Sequence, residues 1–464
     1  FVPPLLLHVW DAQGAPEHAQ VKEFPGFDGA LPSKHFAGYI TVGDQPNKRH
    51  LYYYFATSER NPSKDAVLLW VNGGPGCSGL DAIVHQHGPF KIIDDFAPRR
   101  LVKLLSNPFS WTKVASIIYV DSPAGTGYSY ADSIDDYITS DTKTVADLYE
   151  FILEFFSEYP EFLPNPLYVG ACSYSGTMVP PLAQEMVNGN DHKSRMCIEA
   201  GKKPNLNFKG YSMGNAAIDI NIENNGKIPF AHRMGLISEE IYEDLTSTCK
   251  GDYWRNSDPD CLKNLEVFQK NIQGINKEHV LCLHCQFELG FCLKPNGYDS
   301  DYIEYSLHQQ SEHGSKHCHV YNTRQKSLFD METTRQTLHA VPIEVSGEWI
   351  RCNPRLQYER DHFNLIPYHL NLTMKGYRAF IYCGDHDMVI PYTATLEWIQ
   401  SLNYSVIEGW QPWFVDGLIA GYNVRYDHNL LFATFKGAGH TVPEYVPHQA
   451  LIAYQRWIDG AGSL

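Results

Sequence analysis

The stretch Tyr168-Val169-Gly170-Ala171-Cys172-Ser173-Tyr174-Ser175-Gly176 is a short apolar run that breaks at a serine. Leu167 to Val169 predicts a buried strand, and residues 178–186 predict the helix that follows it. A serine on such a sharp strand-to-helix turn projects its hydroxyl away from the sheet, where a base can reach it. The usual signature has glycines two residues before and after the serine, whereas this chain has Ala171 and Ser175, with Gly176 one place later. Taken alone, the stretch is also compatible with an ordinary turn between a strand and a helix.

Around this turn the chain alternates apolar strands with helical stretches. Residues 140–159 show helical periodicity, and an amphipathic helix is predicted over 448–459. Alternation of this kind indicates an α/β domain with a mostly parallel sheet, and the loops at the carboxyl ends of its strands carry the chemistry. The predicted strands cover residues 38–42, 50–56, 66–71, 116–120, 167–169, 377–382 and 431–435.

The α/β pattern is interrupted once. Residues 230–336 are polar, hold six of the eleven cysteines and lack long apolar strands, so we interpret them as an insertion of helices and loops. Within it, residues 294–316 are predicted to be an exposed linker that maturation could cleave. The core domain is therefore discontinuous, comprising residues 24–229 and 337–464, and residues 1–23 are expected to be irregular.

Composition excludes several classes of partner. The formal net charge is -16, and no Lys/Arg-rich run occurs among the 464 residues, so neither nucleic acid nor an anionic membrane surface is an expected partner. No apolar run approaches the roughly 20 residues that span a bilayer. Eleven cysteines and two N-x-S/T glycosylation signals, at Asn371 and Asn403, favour the secretory pathway. The first eight residues fit either the end of a signal peptide or the start of the chain.

A base and an acid for the serine follow later strands, in a defined order. Asp385 and Asp387 come after the strand that ends at Tyr382, and His440 comes after the strand that ends at Phe435. A serine hydroxyl is a poor nucleophile unless a base, itself oriented by a carboxylate, lies beside it. The order serine, acid, histidine is that of the α/β-hydrolase arrangement, and either aspartate fits it.

Acyl transfer also requires hydrogen-bond donors aimed at the developing oxyanion. The backbone N–H of Tyr174, directly after the serine, is one expected donor. The glycine-rich turn after the strand 66–71 is the natural source of the second, with Gly74 as the best single position. Asn72 and Gly73 of the same turn are expected to contact the substrate. A phosphate-binding loop is excluded because no Gly-Lys-Ser/Thr or strand–GxGxxG–helix pattern is present.

In combination, five segments resemble the serine carboxypeptidase family from about Phe24 onward. The resemblance implies an α/β-hydrolase fold with a central mixed, mostly parallel sheet and a cap insertion. It places the triad on Ser173, Asp387 and His440, and the oxyanion donors on Gly74 and Tyr174. It implies no cofactor. The segments are Trp70-Val-Asn-Gly-Gly-Pro-Gly-Cys-Ser, Asp121-Ser-Pro-Ala-Gly-Thr-Gly-Tyr-Ser-Tyr130, Ser173-Tyr-x-Gly176, Gly384-Asp-His-Asp and Gly437-Ala-Gly-His-Thr.

The resemblance also implies the disulfides Cys77–Cys352, Cys249–Cys261 and Cys285–Cys318, which spacing alone does not specify. The spacings Cys282-x-x-Cys285 with His284, and His317-Cys318-His319, are compatible with zinc binding. We prefer the Cys285–Cys318 disulfide, since disulfides are common in secreted proteins, and we predict no metal site.

Within the family, Gly384-Asp-His-Asp-Met388, residues 398–404 and Gly421-Tyr-Asn look like the plant acyltransferase branch. Members of that branch move an acyl group from a 1-O-β-glucose ester onto an acceptor alcohol, often in the vacuole. Family carboxypeptidases hold the peptide's terminal carboxylate with a pair of acids, and these positions match Cys172 and Gln86 here. The acyltransferase branch usually keeps an acid at the first position, so Cys172 is unusual there as well.

The sequence therefore predicts a serine acyltransferase that uses a small acyl-glucose donor and an alcohol acceptor, in the vacuole or outside the cell. A residual carboxypeptidase or esterase, and a non-catalytic companion of an active paralogue, are the alternatives. A homodimer and a pairing with a paralogue are both compatible with the sequence. His85 and His87, beside Gln86, either line the donor pocket or are solvated loop residues, and we favour the second interpretation.

Overall fold

A computed structural model describes residues 15–92, 102–190, 204–282, 325–461 and 464 of the chain. Its strands are β1 (Gln20–Val21), β2 (His35–Val42), β3 (Arg49–Ala56), β4 (Val67–Val71), β5 (Phe90–Ile92), β6 (Leu104–Ser106), β7 (Ser116–Val120), β8 (Tyr130–Ala131), β9 (Ile138–Ser140), β10 (Leu167–Cys172), β11 (Phe208–Gly214), β12 (Gln357–Glu359), β13 (Arg378–Gly384), β14 (Val406–Val415), β15 (Leu418–Tyr426) and β16 (Leu430–Phe435).

Twelve of these strands form one sheet, in the order β1-β2-β3-β7-β4-β10-β11-β13-β16-β15-β14, with β8 paired to β3. All pairings among the six central strands, from β7 to β16, are parallel, and those at both edges are antiparallel. The predicted α/β-hydrolase fold with a mixed sheet is confirmed, and the parallel strands lie at the centre of that sheet. Because parallel strands end at one edge, the loops after β4, β10, β13 and β16 meet there.

The helices are α1 (Gly79–His85), α2 (Asp141–Glu158), α3 (Val179–Asn190), α4 (Ile220–Arg233), α5 (Glu239–Cys249), α6 (Pro259–Asn271), α7 (Glu332–Thr337), α8 (Ile343–Ser346), α9 (Ile366–Met374), α10 (Tyr392–Ser401), α11 (Val442–Tyr445) and α12 (Pro447–Ile458). Residues 325–330 are also helical. Within the described part of the chain, none of these helices has the length and apolar character required to cross a membrane.

Helices cover both faces of the sheet because the side chains of each central strand alternate between two hydrophobic clusters. In β4, Leu69 packs on the face covered by α2, α3 and α10, whereas Trp70 packs on the face covered by α1 and α12. Helix α2 begins at a favourable N-cap, since the Ser140 hydroxyl accepts a hydrogen bond from the backbone N–H of Lys143. The two helix layers thus cover the faces of the sheet, and the functional loops lie at the edge where its parallel strands end.

Helices α4, α5 and α6 form a third cluster of their own, in which Phe230, Leu245 and Phe268 are buried against Met388 of the core domain. This cluster contains residues from the first described part of the predicted insertion, 230–282, whereas Leu328 and Phe329 of the same predicted insertion pack in the core domain. The expected boundary between residues 229 and 230 falls inside α4. The predicted linker 294–316 lies outside the described residues.

The hairpin of β14 and β15 has no counterpart among the predicted strands. Its ladder has register shifts at three places, and it contains Gly409, Pro412 and Gly421. Irregular pairing breaks the period-two alternation by which a half-buried strand is recognised in a sequence. Sequence periodicity therefore identifies the regular central strands more readily than this edge.

Candidate active site

Ser173 directly follows the last residue of β10 and has a backbone φ of 57°, in the left-handed region that non-glycine residues rarely adopt. Residues Ser173–Thr177 form a single 3-10 turn before α3. The turn lies close to the loop after β11, because a Cβ atom at Gly176 would come within 2.4 Å of the Ala217 carbonyl oxygen. The expected sharp turn thus projects the Ser173 hydroxyl above the carboxyl end of the sheet.

The three predicted catalytic side chains meet in one hydrogen-bonded chain. The Nε2 atom of His440 lies 2.8 Å from Ser173 Oγ, and its Nδ1 atom lies 2.8 Å from Asp387 Oδ2. An ionised carboxylate only accepts hydrogen bonds, so Nδ1 carries the proton and Nε2 is free to accept that of the serine. This is the tautomer that general-base catalysis requires.

The carboxylates of Asp387 and Asp385 have different hydrogen-bond partners. The Asp387 carboxylate is fully buried and accepts hydrogen bonds from the Asn215 side chain at 2.7 Å and from the backbone N–H groups of Val389 and Ile390. Asp385 instead contacts His386 Nδ1 at 2.5 Å and the Gly437 amide. Of the two aspartates that fit the sequence, only Asp387 reaches the imidazole.

Two glutamates that the sequence analysis did not single out affect the base. Burial lowers the pKa of His440, but the charge and hydrogen bond of Asp387, with the charges of Glu278 and Glu444, outweigh it and raise that pKa above its ordinary value. Burial also raises the pKa values of both glutamate carboxyls. Glu444 could have been noticed four residues after His440, whereas Glu278 lies far away in the chain and has no motif.

The glycine turn lies directly against the nucleophile. A Cβ atom at Gly73 would lie 2.6 Å from Ser173 Cβ and 2.8 Å from the backbone nitrogen of Tyr174, so no side chain fits there. Gly74 has a φ of 113°, which glycine adopts far more readily than other residues. The hydroxyl of Ser175 donates to the Asn72 carbonyl oxygen at 2.6 Å and joins the two loops. The predicted oxyanion donors, Gly74 and Tyr174, thus belong to adjoining turns.

The Asn72 side chain is engaged within the protein. Its Nδ2 atom donates to the Ser78 carbonyl oxygen at 2.7 Å, and its Oδ1 atom accepts from Trp70 Nε1 at 2.7 Å. The Sγ atom of Cys172 lies 4.0 Å from the same Oδ1 atom. Burial raises the pKa of the Cys172 thiol to about 12, so this group is neutral at physiological pH.

Gln86 is buried beside an ion pair. Its Nε2 atom lies 3.4 Å from Asp81 Oδ2, and Asp81 accepts two hydrogen bonds from Arg351, at 2.7 and 3.0 Å. Gln86 terminates α1, whereas Cys172 ends β10. Both predicted positions are therefore buried and uncharged, and the charges of Asp81 and Arg351 are within electrostatic reach of Cys172.

The preferred interpretation of His85 and His87 as solvated loop residues is wrong. His85 lies in α1 and contacts Asp81 Oδ1 at 2.5 Å. His87 stacks on Trp111 with ring centroids 4.3 Å apart, and burial lowers its pKa to about 3. The error has a physical reason, because aromatic rings from distant segments enclose His87 and Gln325, far away in the chain, contacts His85, and the local sequence reports neither.

The disulfides Cys77–Cys352 and Cys249–Cys261 are both formed, and the first joins the glycine turn to a segment 275 residues away. The predicted pair Cys285–Cys318 lies outside the described residues. Cys282 is disulfide-bonded, which removes its thiolate from the zinc spacing considered above. Of the glycosylation signals, Asn371 on α9 and Asn403 after α10 are both exposed.

Among the residues that the structure describes, one group of side chains has metal-ligating chemistry, comprising Asp141, Asp361 and His362. Both carboxylate oxygens of Asp141 already accept hydrogen bonds from hydroxyl or backbone N–H donors. These donors direct their hydrogen atoms at the two carboxylate oxygens, which are the atoms that a metal ion would bind. We therefore interpret this cluster as a hydrogen-bonding centre.

A hydrogen-bonded serine, histidine and aspartate at the carboxyl ends of parallel strands define the α/β-hydrolase class. The chain belongs to the serine carboxypeptidase family, whose model matches residues 25–460. It is 41% identical to serine carboxypeptidase 1 of Hordeum vulgare, over 96% of this chain and 94% of that protein. It is 38% identical to serine carboxypeptidase-like 20 of Arabidopsis thaliana, over 99% and 97%. A prohormone-processing carboxypeptidase of Saccharomyces cerevisiae has the same fold, with a TM-score of 0.70 at 19% identity over 96% and 95% of the two chains.

Proposed function

We propose that this protein is an acyltransferase that moves an acyl group from a 1-O-β-glucose ester to an acceptor hydroxyl, through an acyl-enzyme on Ser173. The observation that carries the proposal is the intact chain from Ser173 through His440 to Asp387, beside buried, uncharged residues at positions 172 and 86. The first feature supports acyl chemistry, and the second disfavours a peptide carboxylate as the bound group.

In the first step, His440 Nε2 accepts the Ser173 proton while Oγ bonds to the ester carbonyl carbon. The carbonyl oxygen becomes an oxyanion, which the amides of Gly74 and Tyr174 would stabilise. The tetrahedral intermediate collapses by breaking the bond to the glucose oxygen, which receives the proton from His440. Glucose leaves, and the acyl group remains on Ser173.

In the second step, the acceptor hydroxyl loses its proton to the same His440 nitrogen and attacks the acyl carbon. Collapse of the second tetrahedral intermediate breaks the bond to Ser173 Oγ, which regains its proton from His440 and releases the new ester. Transfer exceeds hydrolysis only where the acceptor is held in place and water is excluded.

The substitutions at positions 172 and 86 argue against the peptidase reaction. Cys172 is buried, and its thiol is neutral. Gln86 donates to Asp81, which itself is paired with Arg351, so its amide already has a partner in the protein. Neither side chain supplies the carboxyl that family carboxypeptidases place at these positions.

A serine carboxypeptidase is the second candidate, and one structural feature favours it. Glu278 and Glu444 lie within electrostatic reach of His440, and burial raises the pKa of each carboxyl above its usual range. A protonated carboxyl donates a hydrogen bond to a carboxylate, so this pair offers a substitute for the missing acids at acidic pH.

The test compares two substrates on one preparation. The protein is incubated with 1-O-benzoyl-β-glucose and with phenolic, flavanol or sugar alcohols, and free glucose, acid and ester are measured by mass spectrometry. We expect an ester product that increases with acceptor concentration and disappears in Ser173→Ala. Free acid alone would indicate an esterase, and turnover of blocked dipeptides a carboxypeptidase.

A further proposal concerns the cellular location of this activity. Disulfides are typical of proteins that fold in the secretory pathway, and we propose the vacuole or the cell exterior as its location.

A non-catalytic companion of a paralogue is the remaining alternative to an enzyme, and labelling of Ser173 by a fluorophosphonate would argue against it. Light scattering of the purified protein would distinguish a homodimer from a monomer.

A further inference from the structure

We infer that Asp141 is a positioning residue for the oxyanion hole, because one buried carboxylate holds the nucleophile turn and a segment joined to the glycine turn. The inference rests on the proposed acyl-enzyme chemistry at Ser173. It holds equally for transfer and for hydrolysis, since both reactions pass through an oxyanion.

The first set of contacts joins Asp141 to the turn after β10. Asp141 is the first residue of α2, and its side chain is fully buried. The hydroxyl of Tyr174 donates to Asp141 Oδ1 at 2.8 Å. Thr177 Oγ1 lies 3.2 Å from the same oxygen and 2.8 Å from the Tyr174 carbonyl oxygen. The side chain of the residue whose amide faces the oxyanion is therefore tied to Asp141.

The second set of contacts joins Asp141 to residues 352–362, which we call the strap. The hydroxyl of Tyr358 donates to Asp141 Oδ1 at 2.9 Å, and the backbone amides of Asp361 and His362 donate to Oδ2 at 2.9 and 3.0 Å. The guanidinium of Arg360 lies over the Tyr174 ring, 5.0 Å from its centroid. The strap and the nucleophile turn thus share one carboxylate.

At its other end the strap is bonded to the glycine turn. Cys352 forms the disulfide with Cys77, and the Asn353 amide donates to the Gly76 carbonyl oxygen at 2.9 Å. Leu356 packs so closely on Gly76 that a Cβ atom there would lie 2.3 Å from its Cδ1 atom. The strap therefore connects the loop that carries Gly74 to the carboxylate that holds Tyr174.

This connection sets the relative position of the two oxyanion donors. Each donor nitrogen must lie about 2.7–3.1 Å from the place the oxyanion occupies, and loss of one donor costs about 100- to 1000-fold in kcat. The Asp141 carboxylate accepts from three hydroxyl and two amide donors, and its removal takes this acceptor from all five. We therefore expect its loss to affect the chemical step more than substrate binding.

The test measures kcat and KM for p-nitrophenyl acetate, per active site titrated with a fluorophosphonate. Asp141→Ala should lower kcat about 100-fold and Tyr358→Phe about 10-fold, with KM changed less than about threefold. Asp141→Asn should recover part of the loss, since its amide oxygen can still accept from the two backbone amides. Asp147→Asn, which breaks the ion pair with Arg49 further along α2, should leave kcat within about twofold.

A second substrate separates positioning from general destabilisation. The matching thionoester places sulfur, a weak hydrogen-bond acceptor, in the oxyanion position and gains less from the donors. The Asp141→Ala and Tyr358→Phe losses should therefore be several-fold smaller on the thionoester. Equal losses on both substrates, or an equal loss in Asp147→Asn, would overturn the inference. Should Asp141→Ala not fold, Tyr174→Phe provides the same comparison. A folded wild-type protein that neither reacts with the probe nor cleaves the ester would instead refute the proposed function.

Discussion

The backbone amide of His440 donates a hydrogen bond to the Glu278 carbonyl oxygen at 2.8 Å. The neighbouring Lys277 carbonyl oxygen accepts from the backbone amide of Met388 at 2.8 Å, directly after Asp387. The insertion therefore holds both loops that carry the base and its acid. It also brings the Glu278 carboxyl within electrostatic reach of the imidazole.

The first prediction concerns the dependence of the rate on pH. Only neutral His440 accepts the serine proton, so kcat/KM should fall as the pH decreases through the raised pKa of this group. Glu278→Gln removes a negative charge that raises this pKa and should shift the acidic limb to lower pH, with the plateau retained. The profile is measured with p-nitrophenyl acetate. Glu243→Gln, an exposed change on α5, is the control, and an unshifted limb in Glu278→Gln would contradict the assignment.

The second prediction separates the two aspartates of one loop. Asp387→Asn should lower kcat roughly 10⁴-fold, because the amide no longer holds the required His440 tautomer. Asp385→Asn should retain kcat within about tenfold, since that carboxylate contacts His386 and the Gly437 amide rather than His440. Active-site titration and ester hydrolysis measure both. Equal losses would mean that Asp385 also acts on the base.

The third prediction tests the close contact of the two turns. Gly73→Ala should nearly abolish ester cleavage and fluorophosphonate labelling, because its Cβ atom would collide with Ser173 Cβ and the Tyr174 amide. Gly409→Ala, in the exposed strand β14, meets no atom within 4 Å and should be neutral. Circular dichroism of both variants checks the fold. Full labelling of Gly73→Ala would show that the glycine turn lies further from the nucleophile.

The fourth prediction compares the two disulfides. By loop entropy, removal of Cys77–Cys352 should cost roughly 5 kcal/mol in the free energy of unfolding, and removal of Cys249–Cys261 roughly 3 kcal/mol. Only the Cys77–Cys352 disulfide joins the glycine turn to the strap. If both variants with two serines in place of a cystine remain folded, only the variant that lacks Cys77–Cys352 should have a lower kcat. Denaturant unfolding and titrated ester hydrolysis measure the two effects. An equal loss of kcat would remove the special role of the first disulfide.

Local patterns in the chain were sufficient for much of the fold. Apolar runs at 66–71 and 116–120 match β4 and β7 closely, and the helix predicted over 140–159 corresponds to α2. The two strands are continuous apolar runs, and the helix has helical periodicity and a serine cap, so each signal lies within a few residues. The irregular edge of β14 and β15 has neither signal, and sequence periodicity does not reveal it.

The sequence by itself determined the α/β class, the order of serine, acid and histidine, and the glycine turn beside them. The family resemblance already placed the acid on Asp387, and in the structure this aspartate, rather than Asp385, reaches His440. Tertiary structure alone decided that His87 is enclosed by aromatic rings, and that Glu278 and Asp141 lie at the site. The physical reason is the distance along the chain over which each effect acts. Periodicity and turn chemistry act between neighbours in the chain, whereas burial and charge depend on segments that meet only after the sheet has formed.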